Sequence, residues 1–362
     1  MSKNPRKDRP GRIPRPPRGP AYIPQGPDAD LIEQWMAYLA TVRNRSPRTQ
    51  ETYKLAVVRL LEFLGGKSFL EAEAGEIEAF CGMYLHKRGV VARSRKPYIS
   101  GLRMFYAWLH RTGHVRINPT AGLVHPNIGR PLPIALSLAE AEKLMWAPDL
   151  NTFRGIRDAT IFALLIACGL RVSGLVALND GNLSNEEIDK KLRLVINVVE
   201  KGGRERRLPL PREAEMLLRI YMEHDHFKAA NRDCLNARGK PDKVLFITTN
   251  NSRVPAHERH GEALRMTRMS VWDKVQNYGR RVGIPDEKLH PHAFRHLFGT
   301  ELAEDEQDLI TRQHLMGHAD PKSTAIYTEM SMRRKARVMD TAGPLGKMKT
   351  PVSEVLRRLP AG

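Results

Sequence analysis

Cysteine is nearly absent: the 362 residues hold only Cys81, Cys168 and Cys234, far apart and without the paired spacing of a zinc site or a disulfide framework. No apolar run approaches the ~18 residues of a spanning helix. The N-terminus also lacks the apolar core of a secretory signal. These absences predict a soluble, cytoplasmic protein with no membrane partner. Acidic residues are scarce as well, with 40 Asp and Glu against 59 Lys and Arg, a formal charge of +19. Such an excess draws polyanions to the surface, and nucleic acid is the expected partner.

Residues 1–27 contain eight prolines and seven lysines or arginines, too little apolar surface to fold, so a disordered basic arm is expected there. From Asp28 the apolar residues recur at helical spacing, beginning with Leu31, Ile32, Trp35, Met36 and Leu39. A second helix starts at Ser46-Pro47, a cap followed by proline, and stops at Gly65-Gly66. A third is expected over roughly 71–87 and a fourth over 94–111, so that residues 28–120 form a compact helical bundle. Their aromatic and leucine stripes read as core. On the fourth helix Arg95, Lys96 and Arg103 are candidate DNA contacts.

Between His114 and Pro133 the chain turns rich in proline and glycine and loses periodicity. That predicts a linker, centred on 121–133, able to let two domains close around a duplex. The second domain, 134–341, opens with the capping box Ser137-x-x-Glu140. A helix over about 154–167 then leads to Gly169-Leu170-Arg171. Leu192, Leu194, Ile196 and Val198 alternate as a strand, Gly202-Gly203 turns, and 207–211 returns, which puts Lys201 near a hairpin tip. Residues 222–262 read as a surface insertion with a short strand at 244–247. The histidines and Cys234 there fit no zinc spacing, so no metal site is indicated. Residues 268–281 form a basic helix whose Arg268, Lys274 and Arg280 are further candidate DNA contacts. Residues 342–362 read as a C-terminal tail. The fold class is mainly α with a small β-sheet.

The last third carries the chemistry. His292-Ala293-Phe294-Arg295-His296 is followed by Leu315-Met316-Gly317-His318, and Tyr327 lies nine positions beyond that histidine. His292 and Arg295, three apart on a helix, share a face and can meet one phosphate. Cutting a phosphodiester without a metal needs positive charge on the non-bridging oxygens and an acid for the leaving oxygen. It also needs a nucleophile.

Arg171, Lys201, His292, Arg295, His318 and Tyr327, in that order, resemble the active site of the tyrosine recombinases, or phage integrases, and the resemblance spans roughly residues 28–340. It implies a two-domain, Xer-like member whose helical domain binds core DNA and whose second domain is catalytic. By this resemblance Tyr327 attacks the phosphorus to leave a 3′ phosphotyrosine, and Lys201 protonates the departing 5′ oxygen. His292 assists proton transfer, while Arg171, Arg295 and His318 hold the phosphate. His296 buttresses the site. No metal or nucleotide cofactor is implied. The implied partners are double-stranded DNA with inverted-repeat sites, further copies of this chain in a tetramer, and accessory DNA-binding proteins.

One position departs from the pattern: an acidic residue usually stands three places after the first arginine, and here it is Gly174. Two other readings stay open. A hairpin-forming resolvase or type IB topoisomerase shares the cleavage chemistry, although the compact helical domain favours recombination. A DNA-binding protein with weakened catalysis has only Gly174 in its favour.

Overall fold

The computed structural model describes residues 22–128, 134–199, 205–249, 254–304, 315–316 and 338–358. Most of the basic arm, Lys201, His318 and Tyr327 fall outside them. The described residues form two compact units, one before and one after Pro131.

The first unit is the expected helical bundle. Its α1 (Gly26–Thr41) and α2 (Pro47–Leu64) are followed by α3 (Ala74–Ala79), a π-helical turn at Phe80–Tyr84, α4 (Leu85–Lys87) and α5 (Ala92–Arg111). Ser46 caps α2 by accepting from the Thr49 N–H, and Gly65 ends it at φ +63°. The third helical segment begins at Ala74 rather than near Glu71 because the Glu73 N–H is taken by the Glu76 carboxylate at 2.8 Å. Trp35 and Phe105 meet edge to face at 4.9 Å. The fully buried Tyr106 donates its hydroxyl to the Phe69 carbonyl at 2.8 Å, so the aromatic stripe is core. Val115 and Leu123 are buried in the same core. The first part of the expected linker is therefore anchored to the helical unit by its apolar side chains.

In the second unit α6 (Leu138–Met145) opens on the expected capping box, with the Ser137 N–H on the Glu140 carboxylate at 2.8 Å and the Glu140 N–H on Ser137 Oγ at 3.2 Å. Next comes α7 (Phe153–Cys168), buried on nearly every side, which makes it the central helix. Its polar pair is matched internally, Arg157 Nη2 lying 2.7 Å from the Asp158 carboxylate. After α8 (Val172–Val176) the strands β1 (Leu183–Ile188), β2 (Lys191–Val199) and β3 (Glu205–Pro209) form an antiparallel sheet in that order. The polar β1 has no alternation to betray it and is an edge strand. Its turn to β2 uses Asp189 and Lys190, both at positive φ, where glycine or asparagine is the usual signal. Strand β3 begins two residues earlier than 207, because its register pairs Val198 with Arg206 and Val199 with Glu205.

Helices α9 (Arg212–Glu223) and α10 (Asp225–Lys228) and the small hairpin β4 (Asp233–Leu235) to β5 (Pro241–Lys243) follow. The region expected as a surface insertion is partly core. Phe227 and Val244 to Ile247 are buried, and the Tyr221 hydroxyl donates to the Leu245 carbonyl and accepts from the Ile247 N–H. Residues 244–247 do not form a sheet strand. They make only isolated bridges, Asn179 with Val244 and Ile247 with Arg265. Among the described histidines of this region, His224 and His226 pack their rings on Phe153, at 5.0 and 4.4 Å.

Among the described residues, helices α11 (Arg268–Arg281), α12 (Pro291–Glu304) and α13 (Pro351–Arg358) follow. What read as a tail contributes Ala342, Leu345, Met348 and Val352 to the main core. Arg193 forks onto Asp340 with two 2.8 Å hydrogen bonds, and Trp146 Nε1 donates to the Lys349 carbonyl at 2.7 Å. Among the described residues no helix is long and apolar enough to cross a membrane.

Candidate active site

The site is built where α7 ends and α12 begins, with a side chain of β3 reaching the end of α7. Helix α7 closes on Gly169 in the left-handed conformation, φ +54°. A Cβ there would stand 2.5 Å from Phe298 Cδ1 of α12. Glycine is thus demanded by the backbone and by the neighbour alike. Two residues on, Arg171 occupies the N-cap of α8, half-buried.

Across from it, the Ala293 N–H donates to His290 Nδ1 at 3.1 Å, capping the start of α12. His292 is exposed one residue into the helix, Arg295 is buried a turn later, and His296 is half-buried. Arg295 reaches back to the α7 terminus, Nη1 donating to the Gly169 carbonyl at 2.7 Å, while Nη2 donates to the Met316 carbonyl. The structure therefore brings Arg171, His292, Arg295 and His296 to one locus. Leu315 and Met316 are also buried, three and two residues before His318 in the sequence.

A residue not assigned from the sequence joins them. Arg206 of β3 is buried and donates through Nη1 to the Cys168 carbonyl at 3.3 Å and to the Leu315 carbonyl. The signal was present: Arg206 is in phase with Leu208 on the inward face of β3, five residues after Lys201.

The electrostatics mark the locus as positive. Burial, then the fields of Arg206 and Arg171, lower the Arg295 pKa to about 9. Arg206 is lowered to about 10, chiefly by burial, with Arg171 adding to it and Cys168 opposing. Both remain cations at neutral pH. His296 is pushed down by burial, His292 and Arg295, and His290 by burial, His292 and His296. Every one of these shifts reports that further positive charge is unwelcome. Burial is the largest cause of each, and a bound phosphate would offset the lesser part that comes from neighbouring cations.

Gly174 also has a local explanation. It is buried where α8 crosses β2, and a Cβ there would lie 2.9 Å from Val198 Cγ1. An acidic side chain would have to displace that valine.

The candidate DNA contacts are divided. Lys96 and Arg103 are exposed on α5, whereas Arg95 is half-buried and donates to the Gly82 carbonyl at 3.2 Å. On α11, Arg268 is exposed, Lys274 pairs with the buried Asp158 at 3.4 Å, and Arg280 pairs with Asp286 at 2.8 Å.

Comparison with known proteins bears on both units. The Phage integrase family model matches residues 135–334, and the model of the phage integrase N-terminal SAM-like domain matches 31–113. Tyrosine recombinase XerD of Pseudomonas putida is 32% identical over 320 residues, 88% of this chain and 99% of that protein. Tyrosine recombinase XerC of Chromobacterium violaceum is 31% identical over 315 residues, 87% and 95% of the respective chains. Among solved structures, the XerH site-specific recombinase in a post-cleavage complex with a palindromic difH substrate aligns with a TM-score of 0.58. It covers 86% of this chain and 84% of its own at 19% identity, a likeness of fold. Matched in both units, and by relatives along almost their whole length, this chain belongs to the phage integrase family, the tyrosine site-specific recombinases.

Proposed function

We propose that four copies of this chain assemble on two DNA duplexes carrying inverted-repeat sites and exchange strands using the six-residue set read from the sequence. The observation that carries the reading is the gathering of Arg171, Arg295 and His292 at one positive locus fed by separate elements. The two guanidinium groups neutralise the non-bridging oxygens of the scissile phosphate, where charge grows in the transition state. Tyr327 Oη attacks phosphorus as His292 assists removal of its proton. The bond to the 5′ oxygen breaks, that oxygen takes a proton from the Lys201 ammonium, and a 3′ phosphotyrosine with a free 5′ hydroxyl results. A 5′ hydroxyl from the partner duplex reverses the step on the new strand, releasing the tyrosine and conserving the phosphodiester, so no ATP is consumed.

The helical unit contacts DNA phosphates through the exposed Lys96 and Arg103. The fold is shared with a lambda integrase tetramer bound to a Holliday junction, which aligns at a TM-score of 0.58 with 17% identity, covering 81% of this chain and 75% of that one.

The test is cleavage of a substrate with a 5′ phosphorothiolate at the scissile bond, whose sulfur leaves without a proton. Lys201→Ala should lose cleavage on normal DNA and recover most of it on the phosphorothiolate. Arg295→Ala should be slow on both while binding DNA normally, since one phosphate among many changes affinity little. Normal cleavage by Arg295→Ala refutes the phosphate assignment, and failure of rescue moves Lys201 out of the proton-donor role.

A further inference from the structure

We propose that Arg206 is a positioning residue for strand cleavage, a tie that sets the spacing between the turn bearing Arg171 and the segment bearing His318. The inference rests on the roles assigned above to those two residues. Cys168 stands three residues before Arg171, and Leu315 stands three residues before His318. The Arg206 guanidinium donates to the carbonyls of both. Arg295 makes a second, parallel tie one residue further along each segment, between Gly169 and Met316. Two guanidinium groups therefore lace together consecutive carbonyls of two segments that lie far apart in sequence.

Arg206 differs from Arg295 in where it comes from. It projects from β3, so the same side chain also fixes a strand that starts four residues after Lys201 in the sequence. Its place on the sheet is tightly determined. Arg206 pairs in register with Val198, and Val198 is the residue that Gly174 of α8 approaches. The small residue at 174 lets α8, which Arg171 precedes as N-cap, approach strand β2 at Val198, the register partner of Arg206. The end of α7 just before Arg171, the Leu315–Met316 segment and strand β3 are thus referenced to one side chain.

The cost of putting a cation here indicates more than packing. A buried guanidinium is retained where its hydrogen bonds hold a geometry, since an apolar residue of similar size fills space with less desolvation. Arginine is required for reach: lysine carries the charge on a side chain one bond shorter and cannot keep both carbonyls. Displacing a phosphate-binding group by about 1 Å is enough to slow a reaction by about 100-fold.

The experiment compares wild type, Arg206→Lys and Arg171→Ala in single-turnover cleavage of two suicide substrates. One carries a normal scissile phosphate and the other a methylphosphonate, which has no negative charge for the arginines to neutralise. Arg206→Lys is expected to bind site DNA like wild type and to cleave the phosphate about 100-fold more slowly. On the methylphosphonate its deficit relative to wild type should shrink to less than about 10-fold, because arginine placement matters less there. The ratio between substrates is taken within one protein preparation, so a partly unfolded fraction cancels. Wild-type cleavage of the phosphate by Arg206→Lys overturns the proposal, as does an equal deficit on both substrates. If instead Arg171→Ala cleaves the phosphate normally, it is the underlying site assignment that fails.

Discussion

Replacing Gly169 by alanine should damage stability and cleavage together, and the size of the effect can be worked from two local terms. The residue sits at φ +54°, where an L side chain costs about 1–2 kcal/mol. Its Cβ would be 2.5 Å from Phe298 Cδ1, and overpacking of that kind costs about 1–3 kcal/mol more. The sum is about 2–5 kcal/mol. For a unit of this size that corresponds to a fall in melting temperature of roughly 4–20 °C, at about 2–4 °C per kcal/mol. Gly283 is the control in the same unit: its φ is +75° with nothing within 4 Å of an added Cβ, so Gly283→Ala should cost only the backbone term, about 1–2 kcal/mol. Paired thermal melts read the difference directly. Relief of the clash must move α12 or the turn before Arg171, so Gly169→Ala should also cleave suicide substrates more slowly than Gly283→Ala. Equal melting temperatures for the two variants would refute the close-approach argument.

Glu213, buried in the first turn of α9 with no hydrogen-bond partner for Oε1, has its pKa raised to about 8 by burial. The folded protein then holds a proton that the unfolded chain releases near its ordinary value, so this group makes stability fall as pH rises between those two points and level off above about 8. The slope is at most about 1.4 kcal/mol per pH unit. Glu213→Gln should flatten the profile and be the more stable protein at high pH, as urea melts across pH will show. A variant that keeps the wild-type slope removes Glu213 as its source. Deleting residues 1–27, with their seven cationic side chains, should reduce the slope of log K against log salt by roughly 0.9 for each phosphate the arm neutralises in the full-length protein. The ranking of DNA sites should not change, and a changed ranking would show that the arm reads a groove.

The sequence was most legible where local chemistry and periodicity agreed. Ser46-Pro47, the Ser137 capping box and the 268–281 helix all announce themselves by short-range rules, and the structure has each. The ordered set of arginines and histidines was legible through its resemblance to the tyrosine recombinases, and the H-x-x-R spacing placed only His292 and Arg295 on one helix. What could not be read depends on long-range packing. Strand β1 is polar and is held only by pairing with β2. Residues 244–247 look like a strand because they are apolar, yet they are buried for packing and make only isolated bridges. The last segment joins the core through Arg193, Trp146 and Glu301, residues distant in the chain. Arg206 was visible only as one basic residue among several, since its partners are backbone carbonyls that carry no sequence signature.

The central claim, covalent catalysis by Tyr327, is tested most directly by mixing wild type and Tyr327→Phe with a nicked suicide substrate. Denaturing gels then score the protein–DNA adduct, and peptide mapping locates it. Wild type should give an adduct whose nucleotide is carried by the peptide containing Tyr327, while Tyr327→Phe should bind the same duplex with similar affinity and give none. An adduct that persists in Tyr327→Phe, or that maps to another peptide in the wild type, contradicts the account.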